Sequence, residues 1–224
     1  MTLCISITSA CGAWLCSDRR LCDDNFEPIC DDSRKQTILA CTDGFAVMSV
    51  VGLAAFSTPF GVLTMEDWLQ RAAAVKAPVL ATLELIATLA TRQLTPMLRG
   101  EPQQIVGVAV ADSLPFTFTI QNVHVGSLEV VSDFVLYQWE DAGGLLARAG
   151  SWNAVPEESR EALRNLATQA HDRDAVSGML ADAVRQASHH SRLVSPTAFV
   201  TYLPRVGAPC TFEFEARHAT AITV

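Results

Sequence analysis

Strand-like and helix-like segments come in blocks along this 224-residue chain rather than alternating one by one. Leu3, Ile5 and Ile7 alternate with Cys4, Ser6 and Thr8, the period-two pattern of a strand. A turn at Cys11-Gly12 leads into a second strand from Ala13 to Ser17, making a hairpin with Asp18 at its end. Residues 19–34 are polar and irregular. Gln36 to Cys41 and Phe45 to Val51 read as two more strands across an Asp43-Gly44 turn, and Gly52 breaks the second. Two helices follow. Thr64 caps the first, with Glu66 and Asp67 favourable to its dipole. The second starts at Pro78 and ends before Pro96.

The blocks then repeat in kind. Ile105 to Ala111 and the Phe116-Phe118-Ile120 segment are strands, and residues 127–139 are strand-like. Ala142-Gly143-Gly144 and Ala149-Gly150-Ser151 read as turns or loops. Helices are expected from Pro156 to about Ala170 and from Asp174 to Ser188. Strands at Ala198 to Tyr202, Thr211 to Glu215 and Ala219 to Val224 close the chain. Grouped strands and helices argue against a doubly wound parallel sheet. They fit an α+β fold of two antiparallel sheets packed face to face, with helix pairs outside them: a four-layer αββα sandwich. No linker or repeat interrupts residues 1–224, so a single domain is expected.

Composition narrows the function. The formal net charge is −8 with no basic stripe, which disfavours nucleic acid as a partner. No apolar run reaches the roughly 18–20 residues that span a bilayer, and no basic region opens a secretory signal. The expectation is a cytoplasmic protein with no membrane partner. Six of the seven cysteines lie between Cys4 and Cys41, without a C-x-x-C pair or a nearby histidine. They read as reduced, buried small residues rather than metal ligands, and no metal or cofactor is expected. Mean hydropathy is +0.24, which suits covered sheets, apolar subunit interfaces, or both.

The chemistry concentrates near the start. If Met1 is removed, Thr2 carries both a hydroxyl nucleophile and a free α-amine that can act as base. Such a pair can cleave an amide if a neighbouring cation favours the alkoxide and an oxyanion is stabilised. Asp18 lies sixteen residues after Thr2. Lys35 follows, one of only two lysines in the chain beside Lys76. In this scheme Thr2 is the nucleophile, Lys35 lowers the barrier to its ionisation, and Asp18 orients Lys35.

This constellation, in this block order, resembles the proteasome β-subunit family of N-terminal nucleophile hydrolases. Thr2-Leu3-Cys4-Ile5-Ser6-Ile7 is similar to the family's opening strand. Leu15-Cys16-Ser17-Asp18-Arg19-Arg20 is similar to its second strand, ending in Asp-x-Arg at Asp18 and Arg20. Ser33-Arg34-Lys35-Gln36 is similar to the segment that carries its lysine. Chains opening Met-Thr are similar to the bacterial HslV and Anbu groups. The resemblance implies a threonine peptidase with a peptide or protein substrate. It also implies self-assembly into a ring or helical homo-oligomer, with any unfoldase partner unidentified.

The later correspondence is looser. Gly52, with Val51 as the alternative, falls where the family forms its oxyanion hole, although only one glycine stands there. Ser151 follows Gly150 as in the family's Gly-Ser turn, whose serine supports the threonine amine. Asp174-Ala175-Val176-Ser177-Gly178 spells the family's Asp-x-x-Ser-Gly motif but falls at the start of the last helix. Ser195 is better placed before the next strand, yet Arg192 occupies the position three residues earlier. Two further readings stay open: a catalytically inactive scaffold subunit on the same fold, or an amidase acting on small amides. His189 and His190 fit a helix C-terminus, where the dipole favours them.

Overall fold

A computed structural model describes the chain except residues 1, 23–26, 53, 59–60, 74–75, 99, 140–144, 170–171, 216–218 and 223–224. Met1 and the Gly143-Gly144 turn therefore lie outside the described residues. The strands β1 (Leu3–Ser9) and β2 (Gly12–Asp18) form the first hairpin. Two short strands, β3 (Leu21–Cys22) and β4 (Pro28–Cys30), pair in the segment expected to be irregular. Then come β5 (Gln36–Ala40), β6 (Gly44–Val51) and a small hairpin of β7 (Ala55–Thr58) and β8 (Gly61–Thr64). Helices α1 (Met65–Ala72), α2 (Val79–Gln93) and α3 (Thr95–Leu98) follow.

The second half holds β9 (Gln104–Ala111), β10 (Leu114–Val123), β11 (Val130–Trp139) and β12 (Leu145–Gly150). Helices α4 (Glu157–Gln169) and α5 (Arg173–Ser188) precede β13 (Ala198–Pro204), β14 (Cys210–Phe214) and β15 (Ala219–Ile222). All strand pairings within the two large sheets are antiparallel. One sheet runs β12-β1-β2-β13-β14-β15 and the other β11-β10-β9-β6-β5.

Local chemistry sets the element ends. The Thr64 hydroxyl accepts from Asp67 N at 3.1 Å and starts α1. Asp172 caps α5 through Asp174 N and Ala175 N at 2.8 and 3.0 Å. Asp43, in the β5–β6 turn, accepts from Val79 N at 2.8 Å and so ties that turn to the start of α2. The β9–β10 hairpin turns through Asp112 and Ser113 with φ of 48° and 66°, the left-handed pair that suits the twist of a two-residue hairpin.

The strand alternation sorts each face. Leu3, Ile5 and Ile7 face α4 and α5 and pack with Leu163, Val176, Leu180 and Val184. On the other outer side, Met48, Ile105, Phe118 and Ile120 pack against Leu69, Leu83 and Ile86 of α1 and α2. The layer between the sheets is thinner, a small cluster of Ala13, Leu15, Val47, Val108, Val110 and Leu203. Polar side chains share that level, among them Ser17, Gln36, Ser49 and Thr201, all buried. The expected αββα layering is thus the observed one. No helix among the described residues is long and apolar enough to cross a membrane.

Candidate active site

The first hairpin brings Asp18 to Thr2. In the β1–β2 register Cys4 faces Ser17, which puts Asp18 beside the start of β1. Leu3 N donates to Asp18 Oδ1 at 2.8 Å. Arg20 N and Ser195 N donate to Asp18 Oδ2 at 3.0 and 3.4 Å. Asp18 is fully buried, and a buried carboxylate needs such donors and a cation to offset its lost hydration.

Lys35 is that cation. It stands just before β5, on the opposite sheet, and its ammonium reaches across the gap. Nζ lies 3.2 Å from both Asp18 oxygens and 3.2 Å from Thr2 Oγ1. Its side chain is 6% exposed, so water screens the pair little. A positive charge held at hydrogen-bond distance stabilises negative charge developing on the threonine oxygen. The structure thus brings Thr2, Asp18 and Lys35 together.

The Thr2 main chain is held from the other side. Its carbonyl accepts from Ser151 N at 3.2 Å. Gly150 lies against it so closely that an added Cβ would stand 1.6 Å from Thr2 O. Ala149 and Gly150 belong to β12 rather than to a loop, because β12 pairs with β1, Leu3 opposite Gly150. Trp152 follows in a short 3-10 helix, with the guanidinium groups of Arg148 and Arg160 at 5.2 and 5.8 Å from its ring. That packing fixes the turn from which Ser151 N reaches Thr2.

The other sequence candidates take different places. Arg20 contributes its N–H to Asp18, while its guanidinium grips Asp31 in a two-pronged pair at 2.6 and 2.7 Å and donates to the Arg192 carbonyl. The Arg20 guanidinium holds the Asp31 carboxyl below its usual range. This pair braces the segment before Lys35 against the segment before β13. The Ser195 hydroxyl contacts Thr197 Oγ1 at 2.7 Å and accepts from Thr197 N at 3.2 Å, so its link to the site runs through its backbone N–H. Gly52 ends β6 with φ of +132° and presses on Gln103, where a Cβ would meet Oε1 at 2.1 Å. Val51 packs beside Gly150. The Asp174–Gly178 motif is the first turn of α5.

Two features escaped the sequence reading: the Leu3 N–H on Asp18, and Gln36, whose buried carboxamide spans the two sheets. Position alone signalled Gln36, since it directly follows Lys35 at a strand start. Among the described residues, no three His, Cys, Asp or Glu side chains converge as metal ligands.

None of the seven cysteines is in a disulfide. Burial pushes the Cys4 thiol up from its ordinary 9.0 to about 12, with the Asp18 carboxylate adding to the rise and Lys35 opposing it. Burial drives Cys16 upward too. A raised thiol stays protonated in the native state while the unfolded chain ionises. Stability is therefore complete below pH 9 and falls as pH rises from 9 towards 12. Urea unfolding at pH 8 and pH 10.5 should show a loss in the wild type about 2 kcal/mol larger than in Cys4→Ala. Equal losses in the two proteins would refute the assignment.

No protein-family model matches this chain, and no curated protein matches it in sequence. Solved structures do match its fold. Anbu (ancestral beta-subunit) from Yersinia bercovieri superposes with a TM-score of 0.65 at 13% identity, covering 99% of this chain and 87% of that one. An Anbu (Gly-1) mutant from Hyphomicrobium sp. strain MC1 gives a TM-score of 0.63 at 9% identity, covering 100% and 87%. The chain shares the fold of these proteins from end to end.

Proposed function

We propose that this chain is a threonine-type N-terminal nucleophile hydrolase, a peptidase acting as a proteasome-like subunit, with Thr2 exposed by removal of Met1. The observation that carries the reading is the Lys35 ammonium, 3.2 Å from Thr2 Oγ1 and from both oxygens of buried Asp18. The freed α-amine of Thr2 takes the hydroxyl proton as the oxygen attacks an amide carbonyl, then returns it to the leaving amine. Water, activated by the same amine, hydrolyses the resulting ester. Lys35 stabilises the developing alkoxide, and Asp18 with its three N–H donors holds Lys35 in place. The backbone around Val51 and Gly52 is the proposed oxyanion site.

Self-assembly is part of the proposal. Likeness to proteins described as ancestral beta-subunits supports it. So does β11, the outer strand of its sheet, which leaves Val130, Val131, Val135 and Trp139 exposed. A chain that sediments as a monomer at every concentration would rule assembly out.

A scaffold subunit without activity is the second reading. One observation favours it: the Ser195 hydroxyl is occupied by Thr197. The two readings separate in one experiment. Intact mass should show loss of Met1, and a short peptide with a C-terminal vinyl sulfone should add once, at Thr2. Retention of Met1, or no adduct on the processed chain, would leave the scaffold reading standing.

A further inference from the structure

The pair that matters here spans two sheets. Thr2 directly precedes β1 and Asp18 ends β2 of the six-stranded sheet, whereas Lys35 precedes β5 of the five-stranded one. β5 is an outer strand, bonded among the described residues only to β6 within its sheet. Apolar contact between the sheets resists separation, but it is non-directional and does little to fix their lateral offset. Directional contacts must set that offset near Lys35.

Gln36 supplies them. Its carboxamide is buried and points across the gap. Nε2 lies 3.1 Å from Leu15 O, 3.1 Å from Ser17 Oγ and 2.8 Å from Phe199 O. Two of these are carbonyls, which only accept, so the amide nitrogen must face them. Oε1 accepts from Thr201 Oγ1 at 2.7 Å, and Thr201 in turn meets Thr211 at 3.2 Å. Ser17 directly precedes Asp18, and Phe199 stands opposite Ser17 in the β2–β13 register. The neighbour of Lys35 is thereby bonded to the neighbour of Asp18.

We propose that Gln36 is a positioning residue whose carboxamide sets the distance from the Lys35 ammonium to Thr2 and Asp18. The inference deepens the threonine-hydrolase reading and rests on it for its catalytic consequence. Two readouts on the full chain test it. The first is labelling by the peptide vinyl sulfone. Gln36→Leu should lower the maximal inactivation rate 10- to 100-fold while the half-saturating probe concentration changes less than threefold. Gln36→Asn, one methylene shorter, should fall between Leu and wild type.

The second readout needs no catalysis. Lys35 and Lys76 are the chain's two lysines, and Lys76 is exposed. With limiting acetic anhydride, the Lys35-to-Lys76 acetylation ratio should rise at least tenfold in Gln36→Leu, and by less in Gln36→Asn. An unchanged ratio in a folded variant would overturn the proposal, as would a rate within threefold of wild type. Should Gln36→Leu fail to fold, Gln36→Asn decides by the same two measurements. Absence of vinyl sulfone labelling in the wild type would remove the hydrolase reading instead, and the acetylation ratio would still decide the tether.

Discussion

Replacing Lys35 with methionine will slow vinyl sulfone labelling of Thr2 by roughly 100- to 1000-fold, the range expected when a group that stabilises developing negative charge is removed. Methionine fills similar space but carries no charge, so Thr2 Oγ1 loses the ammonium now 3.2 Å away. The same substitution also strips Asp18 of its ion-pair partner. Removing one member of a buried pair costs about 3–5 kcal/mol, because the other charge is left without compensation. The two losses can be separated. Lys35→Met combined with Asp18→Asn removes both charges and should recover part of the melting temperature, while labelling stays at the level of Lys35→Met. The single asparagine oxygen can keep the Arg20 N and Ser195 N donors that now meet Oδ2, while Leu3 N loses its acceptor. Labelling within tenfold of wild type in a folded Lys35→Met protein would sink the mechanism.

Gly150→Ala should cost about 3 kcal/mol and abolish labelling although it touches neither Lys35 nor Asp18. The residue has φ of +75°, where an L side chain pays about 1–2 kcal/mol. Its new methyl would fall 1.6 Å from Thr2 O and 2.8 Å from Thr2 C. Both are backbone atoms, so β1 or β12 must move, at about a further 1–3 kcal/mol. The combined loss corresponds to roughly 6–12 °C in melting temperature for a chain of this size. Thr2 moves with its carbonyl, which disturbs the 3.2 Å contact of Oγ1 with Lys35. Differential scanning calorimetry with the labelling assay reads both effects, and a melting temperature within 2 °C of wild type would contradict the geometry.

The fold was legible where side-chain period is local. Leu3-Ile5-Ile7, the Asp43-Gly44 turn and the Thr64 cap each announce their element within a few residues, and the blocks they form imply stacked sheets. Elements too short to show a period were missed. β3 and β4 have two and three residues and look like any polar loop. Pro96 marks the end of α2 as read, since α2 stops at Gln93, but it also sits in the first turn of the short α3, where its missing N–H costs nothing.

The site divides along the same line. Thr2 and Asp18 could be paired from the sequence because one hairpin places them. Lys35 stood out because lysine is scarce. Ser151 and Ser195 act from segments more than a hundred residues away, through backbone N–H groups that nearly every residue type carries. Ala149-Gly150 resembled a turn by composition, and only pairing with β1 makes it a strand. Such contacts leave no local pattern to read.

The order of strands in the six-stranded sheet also sets a timetable. Thr2, Asp18 and Lys35 leave the ribosome before the strands that flank their hairpin. Yet β1 lies between β2 and β12, and β2 between β1 and β13. Until Leu145–Gly150 and Ala198–Pro204 have been synthesised, β1 and β2 are a bare hairpin, a form with marginal stability in water. Ser195 N, one of the donors to Asp18, arrives equally late. A nascent chain thus displays all three reactive groups long before it can align them. Translation order alone keeps the three apart until Leu145–Gly150 and Ala198–Pro204 have emerged.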